Sequence, residues 1–213
     1  MKVITSSLIV AILIFTGCSK QTKEKDISHM TAVTVRIATT NVMGETGYGS
    51  GVYIAPQFIV TANHVVDDST GPIIIMVNGL TAIKISGDPK LDLALLKVFK
   101  DHSEYATIGD EPSLYQECVS FSYQCAFETP TLTKGLIQDN NHFIPSRELS
   151  YMRYSANGWF GCSGGGVFVH NKDGKLVLIS ISQRIYAPSV HQVLGAQTKN
   201  LQYFVNSCLC YIK

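Results

Sequence analysis

Short runs of β-branched and aromatic residues, broken every few positions by turn residues, dominate the chain from Thr31 onward, and no long helical periodicity interrupts them until the C-terminus. Val33, Val35 and Ile37 alternate with Thr34 and Arg36, the period-two pattern of a half-buried strand. Residues 48–54 and 58–61 flank a turn at Ala55-Pro56, and Asn78-Gly79 is a hairpin signal between residues 73–77 and 80–85. Residues 91–99 close a first set of about six strands. Residues 100–113 read as a connecting segment. A second set runs through residues 118–127, 133–138, 143–154, 165–170 and 175–185, with Asn171-Lys172-Asp173-Gly174 turning between the last two. Leu201, Phe204, Val205, Cys208, Leu209 and Ile212 then recur at helical spacing. The expected fold is all-β: two packed antiparallel β-barrels of about six strands each, followed by a C-terminal amphipathic helix.

The chemistry concentrates in three segments. Gly161-Cys162-Ser163-Gly164-Gly165-Gly166 sets a hydroxyl on a tight turn where the backbone must come close to a reacting group. Taken alone, this run also suits a flexible loop. Thr61-Ala62-Asn63-His64-Val65-Val66 supplies a histidine after a β run, and Asp92 opens the apolar run Leu93-Ala94-Leu95-Leu96. A lone histidine is more often a surface or core residue, and a lone aspartate here would cap a strand. Asp88 and Asp101 compete for the acid but lack the apolar continuation. Together the three segments place His, Asp and Ser in the chain order of the chymotrypsin-like triad.

These segments resemble the TA-x-H, D-[LI]-A-[LV]-[LI] and G-x-S-G-G patterns of the chymotrypsin-like (trypsin-like) serine peptidases. They look most like the short bacterial branch related to the high-temperature-requirement proteases, and the resemblance covers roughly residues 30–212. It implies His64 as general base, Asp92 as the carboxylate that orients it, and Ser163 as nucleophile. The N–H groups of Gly161 and Ser163 would form the oxyanion hole. It also implies an S1 pocket with Asn157 at its floor and a wall near Ser180, suited to a small or medium apolar side chain. Cys162, Gly166 and Asn63 depart from the family pattern. Cysteine is the nucleophile in viral relatives of this fold, but the residue directly before the glycine pair here is Ser163.

The N-terminus is built differently. Lys2, an apolar stretch over residues 3–15 and Thr16-Gly17-Cys18 precede a polar, charge-rich run. This reads as a signal peptide over residues 1–17 whose end resembles a bacterial lipobox, with lipidation on Cys18. Several acyl chains, at about 0.8 kcal/mol per buried CH₂, anchor a protein stably. The expected organisation is a lipid-anchored tether over residues 18–29, a first barrel over 30–105, and a second barrel with the helix over 106–213. That places the protein at the cell envelope, in the outer membrane for a Gram-negative host. Cys118, Cys125, Cys162, Cys208 and Cys210 remain, an odd number without metal-ligand spacing. Cys118 and Cys125 are compatible with a bridge or with two separate thiols, while Cys208 and Cys210 should point to different sides of the helix.

With 15% charged residues and a net charge of +1, nothing favours nucleic acid as a partner. The expected activity is a serine endopeptidase acting on polypeptide, with no metal and no organic cofactor. The alternatives are an inactive protease-like lipoprotein that binds or shields, and an esterase using the same triad.

Overall fold

The computed structural model describes residues 23–67, 71, 73–124, 127–187 and 192–210. The leader with Cys18, together with Cys125 and Ile212, lies outside the described residues. Strands β1 (Thr34–Thr40), β2 (Thr46–Ala55), β3 (Phe58–Thr61), β4 (Ile74–Val77), β5 (Leu80–Asp88) and β6 (Leu93–Val98) close into an antiparallel barrel in the order β1-β2-β3-β6-β5-β4. Strands β7 (Glu117–Ser122), β8 (Thr131–Ile144), β9 (Leu149–Ser155), β10 (Gly166–His170), β11 (Leu176–Ala187) and β12 (Gln192–Gly195) form the second barrel in the same relative order. Pairing of β1 with β4 closes the first barrel, and pairing of β7 with β10 closes the second. At the β4–β5 hairpin, Asn78 (φ 47°) and Gly79 (φ 81°) both take the left-handed conformation that a two-residue turn of this kind requires.

Burial on both faces explains why β6 reads as an unbroken apolar run. Ala94, Leu96 and Val98 fill the first barrel with Val35, Ile37 and Ile59. Leu93 and Leu95 point the other way, into a core shared between the barrels with Phe121, Phe168, Leu178 and Ile181. β10 and β11 divide their side chains likewise, with Val167, Val169, Val177 and Ile179 inside the second barrel. Helix α2 (Thr198–Cys210) seals the shared core through Leu201, Phe204, Val205 and Cys208. Cys208 is buried and Cys210 exposed, as the helical spacing requires. Cys118 is a free thiol inside the second barrel, so it forms no bridge.

Three elements differ from the sequence expectation. Helix α1 occupies residues 23–33 and takes up most of the stretch expected to be a tether. Its Asp26, Met30 and Val33 share one face; Met30 and Val33 enter the shared core, and Asp26 bonds His170 of β10 at 2.9 Å. The polar majority of residues 23–29 hid that narrow apolar face, and Val33, read as strand, ends the helix. The stretch expected to be one strand over residues 143–154 is broken by a 3₁₀ turn at Pro145–Arg147, because proline lacks the N–H a ladder needs. β12 was not expected at all.

Candidate active site

The cleft between the barrels, about 860 Å³, is walled by Thr39, Tyr48, His64, Trp159, Ser163 and Arg184 among others. Each barrel contributes part of the constellation. His64 lies in the 3₁₀ turn Asn63–Val65 that follows β3, and Asp92 immediately precedes β6, the strand paired with β3. Strand pairing therefore brings residues 28 positions apart together. Asp92 adopts φ 53°, a left-handed conformation that aspartate tolerates better than most residues. Its carboxylate accepts from the His64 backbone N–H through Oδ1 at 3.0 Å and lies 2.8 Å from His64 Nδ1 through Oδ2. The Asp92 side chain is 7% exposed and the His64 side chain 43%, so a buried carboxylate holds one nitrogen of a ring that otherwise faces the cleft.

The competing residues are engaged elsewhere. Asp88 caps the Leu91 N–H, and Asp101 accepts from Gln57 on the surface. His29 bonds Glu104, His102 bonds Ala32 O and stacks on Tyr53, His142 pairs with Asp139, and His170 with Asp26. His191 lies outside the described residues.

Ser163 sits in a turn tightened by Gly161 (φ 90°) and Gly164 (φ 85°). A Cβ on Gly164 would overlap Ser50 O and Thr61 Oγ1, so only glycine lets the turn press against the first barrel. The turn's backbone is bonded on several sides. Gly164 N donates to Ser182 O and Gly165 N to Cys162 O, each within 3.0 Å. Among the described residues, neither Gly161 N–H nor Ser163 N–H donates to an internal acceptor. Ser163 Oγ lies 3.5 Å from Gln183 O, and among the described residues no hydrogen bond joins it to His64.

Cys162 is 4% exposed, and burial pushes its thiol up to about 11, far from the thiolate a cysteine nucleophile needs. Asn157 and Ser180 do not line the cleft. Asn157 is exposed, and its carbonyl accepts from Gln124 and Thr133. Ser180 is fully buried and donates to Ala196 O at 2.7 Å, in the segment between β12 and α2. Cys162 and Ile185 line the cleft together with Ser163.

Two residues escaped the sequence reading although each ties one barrel to the other's functional group. Ser50 of β2 donates through its N–H to Ser163 O at 2.8 Å and through Oγ to Gly161 O at 2.9 Å. The same Oγ accepts from Tyr123 N at 2.8 Å. Gln183 of β11 reaches back with Nε2 to Leu91 O at 2.7 Å and Asp92 O at 2.9 Å. The available signal for Ser50 was its place between Gly49 and Gly51, since glycines inside a strand mark a close backbone approach.

The sequence profile of the trypsin-like peptidase domain matches residues 49–178, more than half of the chain. The chain belongs to the trypsin-like peptidase family. A probable periplasmic serine endoprotease, DegP-like, from Bartonella henselae is 31% identical over 152 residues, which is 67% of this trypsin-like chain and 29% of that protein. The HtrA-type protease AlgW with tripeptide superposes with a TM-score of 0.71 at 23% identity, covering 85% of this chain and 61% of that one. A substituted form of AlgW with tripeptide gives the same TM-score at 22% identity and the same coverage. The trypsin-like chain thus spans less than a third of the curated relative and under two thirds of the AlgW chain. At these identities the two structures establish the double-barrel fold. Among the described residues no cluster of three His, Cys, Asp or Glu could hold a metal ion, and no helix is long and apolar enough to cross a membrane.

Proposed function

We propose that this chain is a serine endopeptidase of the cell envelope that cleaves polypeptides through an acyl-enzyme. The observation that carries the reading is the 2.8 Å contact between His64 Nδ1 and Asp92 in the cleft that also holds Ser163. Asp92 fixes the tautomer that leaves Nε2 able to accept a proton, and it stabilises the imidazolium formed when Ser163 attacks. The N–H groups of Gly161 and Ser163, unengaged among the described residues, supply the donors for the developing oxyanion. The proton taken from Ser163 then passes from His64 to the leaving amine, and water reverses the sequence to release the acid.

Cys162 and Ile185 bound the space for the P1 side chain. Gly158 has no room for a Cβ, with Val193 at 2.9 Å and Cys162 and Ile185 at 3.4 Å, so this wall is packed and apolar and favours a small P1 residue. Cys18 carries the lipid that holds the protein to the membrane. The lipobox-like leader supports this, and a periplasmic relative accords with an envelope location.

The missing His64–Ser163 hydrogen bond favours a second reading, an inactive module that binds or shields. Catalytic hydrogen bonds are often long without substrate, so a chemical probe must decide. A fluorophosphonate should label Ser163 alone in the folded protein, because its adduct mimics the acylation transition state. Ser163→Ala and His64→Ala should abolish labelling, and Asp92→Asn should slow it by something on the order of 10⁴. Asp88→Asn and Asp101→Asn should label as wild type does. An unlabelled wild type with intact β-sheet circular dichroism would establish the inactive module instead.

A further inference from the structure

β11 carries a polar feature that the triad does not use. Its pairing with β10 ends at Ile181, while its other edge continues against β12, with Arg184 opposite Leu194 and Ile185 opposite Val193. The edge left free over residues 183–185 opens on the cleft. Arg184 lines that cleft, and among the described residues its guanidinium has no carboxylate partner; its Nε is buried without an acceptor. The acids of the cleft wall are committed elsewhere, Glu45 to Asn41 and Asp67 to Asn63 and Lys84.

A second arginine stands on the same face. Leu194 is opposite both Arg184 and Arg153, so the two arginines project from one side of the sheet, two strands or roughly 9–10 Å apart. Arg153 Nη1 donates to Gln192 Oε1 at 3.5 Å, and among the described residues its Nε is also buried without an acceptor. Its neighbour in register on β8, Asp139, pairs with His142. A guanidinium carries five donors and no acceptor, and buried polar groups are seldom left unmet. An arriving carboxylate would meet them.

Register decides which substrate residue brings it. A peptide that joins the free edge as an antiparallel strand completes the sheet's ladder. Ser163 Oγ lies 3.5 Å from Gln183 O, so the residue whose carbonyl is attacked (P1) lies opposite Gln183. The residue before it (P2) then lies opposite Arg184, and directly opposed residues share a face. We propose that Arg184 makes this chain select Asp or Glu at P2, with Arg153 reinforcing the positive field. The assignment rests on the peptidase reading for its register and deepens it by naming a substrate class.

The test uses matched peptides that differ only at P2, as Glu, Gln or Lys, followed both by cleavage in the wild type and by binding to Ser163→Ala. Glu should exceed Gln by about tenfold in kcat/KM and in affinity, since a charge-assisted contact is lost in the neutral isostere. R184Q should bring the ratio near one, and R184E should turn the preference toward Lys. Equal binding of the Glu and Gln peptides, or a Glu preference that survives in R184Q, overturns the assignment whatever the turnover. A Glu preference in binding that R184Q abolishes, with no peptide cleaved, sustains the Arg184 assignment and removes the peptidase reading.

Discussion

Replacing Ser50 by alanine removes one oxygen from a residue with no exposed surface, yet that oxygen serves two backbone groups. Oγ donates to Gly161 O at 2.9 Å and accepts from Tyr123 N at 2.8 Å. Alanine leaves both groups without that partner, and the vacated space is smaller than a water molecule requires. An unmet buried group costs about 1–3 kcal/mol, so the two together cost about 2–6 kcal/mol. A domain in the middle of the usual range of about 5–15 kcal/mol still folds under that load at room temperature. Ser122 provides the control. It is equally buried, but its Oγ has no hydrogen-bond partner among the described residues, so Ser122→Ala should be neutral or stabilising by up to about 1 kcal/mol. Urea unfolding of the two variants should therefore differ by about 2 kcal/mol or more, at unchanged m-value. Fluorophosphonate labelling should slow in Ser50→Ala by about tenfold. That is less than the 10²–10³ for an oxyanion donor lost outright, because Ser50 N–H still holds Ser163 O. Equal stability of the two variants, or a Ser50→Ala protein that labels at the wild-type rate, would refute the argument.

Two further expectations concern the cysteines. Burial pushes Cys118 up to about 12 and Cys162 up to about 11, both from an ordinary value of 9.0. The unfolded chain therefore releases these protons first, so their contribution to stability is intact below about pH 9 and is lost as pH rises through 11 to 12. Urea midpoints should fall between pH 8 and pH 11, and less so in a Cys118→Ala/Cys162→Ala protein; identical slopes would contradict this. Cys18→Ser should release the protein from membranes and leave its circular dichroism unchanged. Fractionation with metabolic acyl labelling reads this directly, and an unlabelled wild type that still sediments with membranes would exclude the lipid anchor.

What the amino-acid sequence determined by itself was whatever depends on local pattern. Period-two alternation, Asn78-Gly79, Asn171–Gly174 and the i, i+3, i+4 spacing of Leu201, Phe204, Val205 and Cys208 each act over a few residues, and each produced the expected element. The candidates His64, Asp92 and Ser163 stood out because their neighbours are constrained too: glycines where the turn must tighten, and an apolar strand directly after the acid. Helix α1 was missed because Met30 and Val33 are apolar only toward a core assembled from both barrels. Pairings between distant segments decided the rest. Ser180 looked like a pocket wall and Asn157 like a floor, but the fold buries the Ser180 hydroxyl on Ala196 O and leaves Asn157 exposed, and neither lines the cleft. Ser50, marked only by its flanking glycines, and Gln183 acquire their roles across the barrel interface, 111 positions from Gly161 and 91 from Asp92. Arg184 is an ordinary strand arginine until tertiary packing gives it a cleft to face and no carboxylate partner among the described residues. Strand propensity is a local property, whereas the partner a polar atom finds is set by which segments the chain brings together.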